Sequence, residues 1–208
     1  MVPHAILIVM PINQFQLRNA KLYSNRWDWV TQLPKGLNIM EVGVLAGDFA
    51  EHIFDNINPN SLHLVDTWEQ SDSIFQRGEN NLRFKEGENL DFAKKRFPHP
   101  NVYFHVGRSQ SVLPGLIGNT DKFDLIYIDA GHSYEEVKQD IDNAIKLLRQ
   151  NGIIVINDYV YVGDPKYPSY GVIQAVNEFL NNNQDWEVSG LTLEDQMMCD
   201  IMIRRIRG

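Results

Sequence analysis

Four polar side chains follow two apolar segments in the middle of the chain. Asp129 and His132 come after one segment, and Asn157 and Asp158 come after the next. The carboxylates and the amide oxygen are hard ligands that suit Mg²⁺, and His132 is close enough in sequence to Asp129 to serve as a general base beside that metal. The alternatives are that the carboxylates cap a helix or turn and that His132 is a structural histidine.

The two apolar segments, residues 123–128 and 153–156, are rich in strand formers. Such short apolar runs predict parallel strands that are covered on both faces. Between them, Ser133 and Glu136 fit a capping box that starts a helix. Two buried strands joined by a helix lie parallel, with a right-handed crossover. Their carboxyl ends then place the four polar side chains on the rim where open α/β sheets bind ligands.

Strands and helices alternate in the rest of the chain. Further strands are predicted at residues 38–43, 62–66 and 102–106, and alternating segments at 186–193 and 198–206 predict a terminal hairpin. This order predicts an α/β fold with a doubly wound, mostly parallel sheet, in which the hairpin supplies an antiparallel edge.

The residues before the first of these strands form a prefix. Apolar anchors over residues 14–33 predict a helix that ends at Pro34, and an apolar run lies at residues 5–10. That run is too short to span a bilayer. It predicts a strand, or an arm that packs on the domain or on a second copy, as in a homodimer. We therefore expect an N-terminal extension, residues 1–37, and one domain, residues 38–208.

Length, charge and cysteine content narrow the function. A chain of 208 residues suits one domain with a full-sized core. The net charge of −8 argues against nucleic acid as a partner, because that requires a basic face. We expect no association with membranes. The single cysteine, Cys199, allows no internal disulfide, which favours a cytoplasmic protein.

Two stretches resemble a known family. Glu41-x-Gly43-x-x-x-Gly47, followed by Asp66 at the end of the next strand, is similar to the first motifs of class I S-adenosylmethionine-dependent methyltransferases. The block at residues 128–158 resembles, more narrowly, the metal-dependent O-methyltransferases of small molecules, which include antibiotic-sugar enzymes. The resemblance implies a Rossmann-like methyltransferase fold with a seven-stranded sheet.

The resemblance also implies a role for each residue of these motifs. Glu41 binds the methionine end of S-adenosylmethionine, and Asp66 accepts both ribose hydroxyls, since an ionised carboxylate only accepts. Gly43 lets the backbone approach the cofactor, and Gly47 lets the following helix pack closely. The alternatives are a tight turn for the glycines, an ion-pair partner for Glu41 and a helix cap for Asp66.

Four residues complete the expected cofactor site. Arg108 and Ser109 follow the third strand and flank the adenine, or they form a plain turn and helix cap. Trp68 stacks on the adenine or ribose, or it lies in the core. Asp129 is expected to bind the cofactor as well as the metal.

These features predict methyl transfer to the hydroxyl of a small molecule. A hydroxyl needs deprotonation or a metal at neutral pH, so we expect Mg²⁺ on Asp129, Asn157 and Asp158, with His132 and Asp129 as the catalytic residues. The alternatives are a catalytically silent binding module of the same fold and a nicotinamide-dependent oxidoreductase. The missing G-x-G-x-x-G fingerprint counts against the oxidoreductase.

Overall fold

Eight strands form one sheet at the centre of the molecule. The structure, a computed structural model, describes residues 10–69, 74–77, 80–83, 88–161, 170–193 and 199–206. The strands in these ranges are β1 (Lys21–Tyr23), β2 (Asn38–Val42), β3 (Ser61–Asp66), β4 (Ile74–Arg77), β5 (Asn80–Arg83), β6 (Val102–Val106), β7 (Phe123–Ile128), β8 (Leu148–Ile156), β9 (Trp186–Thr192) and β10 (Ile201–Arg205). The main sheet has the order β1-β9-β10-β8-β7-β2-β3-β6, and β4 pairs with β5 in a separate hairpin.

Helices cover both faces of this sheet. They are α1 (Arg26–Val30), α2 (Asp48–Ile57), α3 (Glu88–Arg96), α4 (Ser109–Leu116), α5 (Tyr134–Leu147) and α6 (Val172–Asn182). Side chains along β7 alternate between two apolar cores, because successive residues of a strand point to opposite faces. Ile126 packs in the core that holds α5 and α6, and Leu125 packs in the core that holds α2 and α3. The predicted doubly wound α/β fold is confirmed.

The strands that carry the predicted site are parallel, as expected. β2 pairs in parallel with β3 and β7, and β7 pairs in parallel with β8. β10 is antiparallel to both β8 and β9, which confirms the terminal hairpin. The sheet has eight strands instead of seven, because β1 adds to its edge in parallel with β9. The prefix therefore contributes to the same sheet as the domain.

The pairing register brings the ends of five strands level. Val42 lies opposite Val65 and Ile128, Ile128 lies opposite Ile156, and Ile156 lies opposite Ile201. The residues that adjoin these positions therefore stand in one row across the sheet. The row is Asp66, Gly43, Asp129, Asn157 and Asp200.

The helix predicted over residues 14–33 is wrong. The structure has a 3₁₀ turn at Gln14–Leu17, then β1, then α1. Two asparagines explain the division: the side chain of Asn13 accepts from the amide of Phe15 at 2.9 Å, and that of Asn25 accepts from the amide of Asp28 at 2.7 Å. Each starts a new short element, since asparagine caps compete with a continuous helix. The capping box that starts α5 is confirmed, and residues 1–9 lie outside the described residues.

Gln16 should stabilise the attachment of the prefix. It is fully buried, and its side-chain amide donates to the carbonyls of Leu180 at 2.7 Å and Trp186 at 3.0 Å. We expect Gln16→Ala to lower the free energy of unfolding by about 1–3 kcal/mol, and to lower the melting temperature by about 2–12 °C. Thermal unfolding followed by circular dichroism measures this. The matched control, Gln32→Ala at an exposed position, should leave the melting temperature unchanged. An equal fall in melting temperature in both variants would contradict the role of Gln16.

Candidate active site

A cavity of about 800 Å³ opens at the carboxyl ends of β2, β3 and β7. Its size is that of a site for a cofactor or another small organic ligand. The structure brings seven of the predicted site residues to its walls; these are Glu41, Gly43, Asp66, Arg108, Ser109, Asp129 and His132. Gly47, Trp68, Asn157 and Asp158 are not part of the cavity wall.

The turn after β2 passes directly over the end of β7. Gly43 has φ +90°, and a Cβ at this position would lie 1.8 Å from the carbonyl oxygen of Asp129. Only glycine fits there. Gly47, with φ +83°, is the N-cap residue of α2, and a Cβ would lie 2.8 Å from the ring of Phe97. Gly47 thus sits where the helix and Phe97 pack closely, while Gly43 leaves the backbone open to the cavity.

Asp66 holds this turn through the backbone. Its Oδ2 accepts from the amides of Val44 at 2.7 Å and Leu45 at 2.9 Å, and its Oδ1 accepts from the amide of Trp68 at 2.8 Å. Leu45 has φ +58°, a left-handed conformation that these hydrogen bonds help to maintain. The carboxylate also lines the cavity, and Oδ1 keeps a lone pair for a further donor.

Glu41 presents a buried carboxylate to the cavity. It is only 2% exposed, and its Oε2 has no hydrogen-bond partner among the described residues. Burial raises the pKa of Glu41 well above its ordinary value, and the negative charges of Asp129 and Asp66 raise it further. Ionising a buried carboxyl group that has no partner costs free energy. A positive charge in the cavity offsets that cost, so the cavity is suited to a cationic ligand.

His132 lies between two carboxylates at the edge of the cavity. Its Nε2 is 3.6 Å from Asp129 Oδ1 and 3.3 Å from Asp158 Oδ2, and its ring stacks on Tyr170 with 4.6 Å between centroids. Asp129 and then Asp158 raise the pKa of His132 to about 9, although partial burial lowers it. In the unliganded protein His132 is therefore an imidazolium at neutral pH, and it accepts a proton only after losing one.

A second charge cluster adjoins the first and was not foreseen from the sequence. Arg26, on α1, lies 3.7 Å from Asp129 Oδ2 and 3.3 Å from Asp200 Oδ1. Asp200 is fully buried, and it accepts from the side chains of Tyr127 at 3.2 Å and Asn157 at 2.9 Å. Burial raises the pKa of Asp200 to about 6. A charged residue at the start of the apolar strand β10 was the available signal for Asp200; the prefix offered none for Arg26.

The predicted Mg²⁺ ligands do not fit a metal ion in this arrangement. The side-chain nitrogen of Asn157 donates to Asp200, Asp129 is shared between Arg26 and His132, and Asp158 faces His132. Within the described ranges, no group of three or more histidine, cysteine, aspartate or glutamate side chains is arranged to hold a metal ion. Mg²⁺ requires about six oxygen ligands at close to 2.1 Å, and here the oxygens of Asp129 face cations.

The far wall of the cavity is formed by the start of α4. Arg108 precedes this helix, and Ser109 and Gln110 begin it. The side chain of Gln110 donates to Ser109 Oγ at 2.8 Å and lies 3.3 Å from Asp140 Oδ1. Burial raises the pKa of Asp140 to about 7, although hydrogen bonds from Ser109 and Gln110 lower it. Asp140, which lies within the block at residues 128–158, thus supports this wall through Ser109 and Gln110.

Two tryptophans, Trp68 and Trp27, lie near the turn after β3 and at the cavity wall, respectively. Trp68 is 3% exposed and packs in the core, with its ring centroid 6.0 Å from that of Phe104. This location favours the core alternative for Trp68. Trp27, from the prefix, lines the cavity instead, and its ring meets that of Phe49 edge-on at 5.5 Å.

Comparison with known proteins assigns a family to this fold and site. A family model described as a methyltransferase domain matches residues 40–159, which include the glycine turn and the rim of β7 and β8. The chain belongs to the class I S-adenosylmethionine-dependent methyltransferases. This membership decides against the nicotinamide-dependent oxidoreductase. No curated protein matches the sequence.

Solved structures share the methyltransferase fold at low identity. The O-methyltransferase TomG from Streptomyces achromogenes, in complex with S-adenosylmethionine, is 19% identical, with a TM-score of 0.65 over 97% of this chain and 93% of that one. The N-methyltransferase NodS from Bradyrhizobium japonicum is 14% identical, with a TM-score of 0.58 over 88% and 95%. An rRNA methylase from Streptococcus thermophilus is 10% identical, with a TM-score of 0.57 over 87% and 94%.

The expected restriction to a small-molecule acceptor, with nucleic acid excluded, is wrong. The same fold occurs in an rRNA methylase, and net charge does not separate the two classes of acceptor because it is summed over the whole surface. No helix in the described part of the chain is long and apolar enough to cross a membrane.

The ion pairs of His132 predict a pH-dependent contribution to stability. Because its pKa in the folded protein is about 9, its stabilising effect is fully present below the unfolded value of about 6.5 and is lost as the pH rises through about 9. The difference in the free energy of unfolding between wild type and His132→Gln should therefore be largest near pH 6 and smallest near pH 10. Urea unfolding across this range measures it, and a difference independent of pH would contradict the assignment.

Proposed function

We propose that this methyltransferase transfers a methyl group to a hydroxyl of its acceptor, and that the hydroxyl lies beside His132. The observation that carries the proposal is the position of His132, at the edge of the cavity and between two carboxylates. A hydroxyl must lose its proton during transfer, which requires a proton acceptor at this point. The likeness to TomG, an O-methyltransferase, supports the choice of oxygen as the nucleophile.

The walls of the cavity fit the cofactor of the family. When bound, S-adenosylmethionine supplies an electrophilic methyl group on a positively charged sulfur. Glu41, with its unpaired Oε2, binds the ammonium group at the methionine end of the cofactor. Asp66 accepts a hydrogen bond from a ribose hydroxyl through the free lone pair of Oδ1. It continues to hold the turn through the amide of Val44. Ser109, supported by Gln110, borders the adenine.

His132 acts as the proton acceptor only in its neutral form. In the unliganded protein Asp129 and Asp158 raise its pKa to about 9. A positive charge in the cavity competes with His132 for Asp129, so it weakens the interaction that holds the proton on the imidazole. The neutral ring can then take the proton of the acceptor, and Asp158 keeps the ring in position at 3.3 Å.

Cofactor affinity should depend on Glu41. Glu41→Gln preserves the volume of the side chain and removes its charge, so a charge-assisted interaction of about 1.5–3 kcal/mol is lost. We expect the affinity for S-adenosylmethionine to fall by about tenfold to a hundredfold, as measured by calorimetry. Glu135→Gln, at an exposed position on α5, is the matched control and should bind as wild type does. Unchanged affinity in Glu41→Gln would remove Glu41 from the cofactor site.

Methyl transfer should require the neutral form of His132. We expect kcat/KM for S-adenosylmethionine to rise with pH through an ionisation near 9, because the pKa of His132 in the free protein is about 9. His132→Gln should slow the single-turnover rate by about 10²–10⁴ and should remove this ionisation. The assay follows labelled methyl groups from S-adenosylmethionine into a panel of hydroxyl compounds and folded RNA fragments.

Four outcomes of this assay bear on the proposal. Transfer to oxygen with the expected pH dependence supports it. Transfer only to nitrogen, or the same pH profile in His132→Gln, contradicts it. Binding of S-adenosylmethionine without transfer to any member of the panel favours the silent binding module.

A further inference from the structure

Arg26 pairs with Asp129, one of the three residues that the sequence predicted as ligands of a divalent cation. Its guanidinium is 3.7 Å from Asp129, at the end of β7, and 3.3 Å from Asp200, at the start of β10. These two carboxylates flank Asn157 in the row across the sheet. Arg26 belongs to the prefix, outside the residues that match the methyltransferase family.

The surroundings of Arg26 form a site for one fixed positive charge. Its side chain is 17% exposed and Asp200 is fully buried. The guanidinium carbon lies 5.9 Å from the ring centre of Phe49 and 5.8 Å from that of Tyr127. A planar, weakly hydrated guanidinium suits such a place, because it pairs with carboxylates and packs on aromatic rings at the same time.

The same contacts engage both oxygen atoms of Asp129 that a divalent ion would need. Asp129 Oδ2 faces Arg26, while Asp129 Oδ1 faces His132. Asp200 accepts from the amide of Asn157 and from the hydroxyl of Tyr127. A divalent ion at the rim would have to displace Arg26 and would meet the positive charge of its guanidinium nearby.

We infer that Arg26 takes the place of a divalent cation at this rim and excludes such an ion from it. The guanidinium neutralises Asp129 and Asp200 in a fixed geometry, and in doing so it ties the prefix to the carboxyl ends of β7 and β10. Together with Trp27 on the cavity wall, it makes the prefix a structural part of the site. The inference concerns the charges at the rim, and it holds whichever acceptor the protein uses.

Titration of the full-length protein with Mn²⁺ tests the exclusion directly. Mn²⁺ stands in for Mg²⁺, and free Mn²⁺ is counted by its electron paramagnetic resonance signal. We expect that wild type has no Mn²⁺ site that depends on Asp129 and is half-saturated below about 1 mM. Binding in that range that Asp129→Asn abolishes would overturn the inference. Binding that Asp129→Asn leaves intact lies elsewhere on the surface and agrees with it.

Removing the guanidinium should open the rim to the metal. Arg26→Met keeps most of the apolar side chain, and we expect it to bind Mn²⁺ at least about tenfold more tightly than wild type, with the gain lost in Arg26→Met/Asp129→Asn. Arg18→Met is the matched control, because Arg18 is also in the prefix but pairs with Glu187 at 3.2 Å. A folded Arg26→Met protein that binds no better than wild type would overturn the inference. If that variant does not fold, as judged by circular dichroism, the comparison of wild type with Asp129→Asn decides.

Discussion

The close approach between the turn after β2 and the end of β7 constrains the whole site. At Gly43 a Cβ would lie 1.8 Å from the carbonyl oxygen of Asp129, so the chain crosses there only because this position has no side chain. The crossing follows from the register, since β2 and β7 are parallel neighbours that end level. It leaves the backbone at Gly43 facing the cavity, with Glu41 on one side and Asp129 on the other. Asp66 then holds the turn through the amides of Val44 and Leu45.

Charge balance is the second condition that the site must satisfy. Glu41, Asp129 and Asp200 lie close together, and burial raises the pKa of Glu41 and of Asp200. Two positive side chains, Arg26 and His132, offset this accumulation of negative charge at the rim. Buried charges are tolerated when they are paired. The carboxyl group of Glu41, which lacks a hydrogen-bond partner at Oε2 among the described residues, is the one that the proposed cationic ligand would complete.

The prefix is integrated into the fold although no motif marks it. It adds β1 to the sheet, fixes Gln16 beneath α6 and β9, and places Trp27 and Arg26 at the cavity and the rim. Its elements are short, because asparagine caps restart the chain twice. Short elements of this kind carry little periodicity, and their positions depend on distant partners such as Asp200. The division between an extension and a domain at residue 38 stays a prediction about sequence, while the structure joins both parts in one sheet.

The sequence by itself determined the order of the main strands and helices from residue 38 onward, the doubly wound sheet, the glycine turn and the rim on which Asp129, Asn157 and Asp158 meet. These features depend on local signals: apolar runs, the capping box at Ser133 and glycine spacing, together with the fact that parallel strands end on the same side of a sheet. The tertiary structure alone decided that Trp68 lies in the core, that Asn157 turns its amide to Asp200 and that Arg26 reaches Asp129. Such contacts join residues that are far apart in the chain, and their geometry depends on which side chains are packed and desolvated together. Local patterns carry no information about that packing, which is why the sequence indicated ligands for a metal and the folded protein pairs one of them, Asp129, with an arginine.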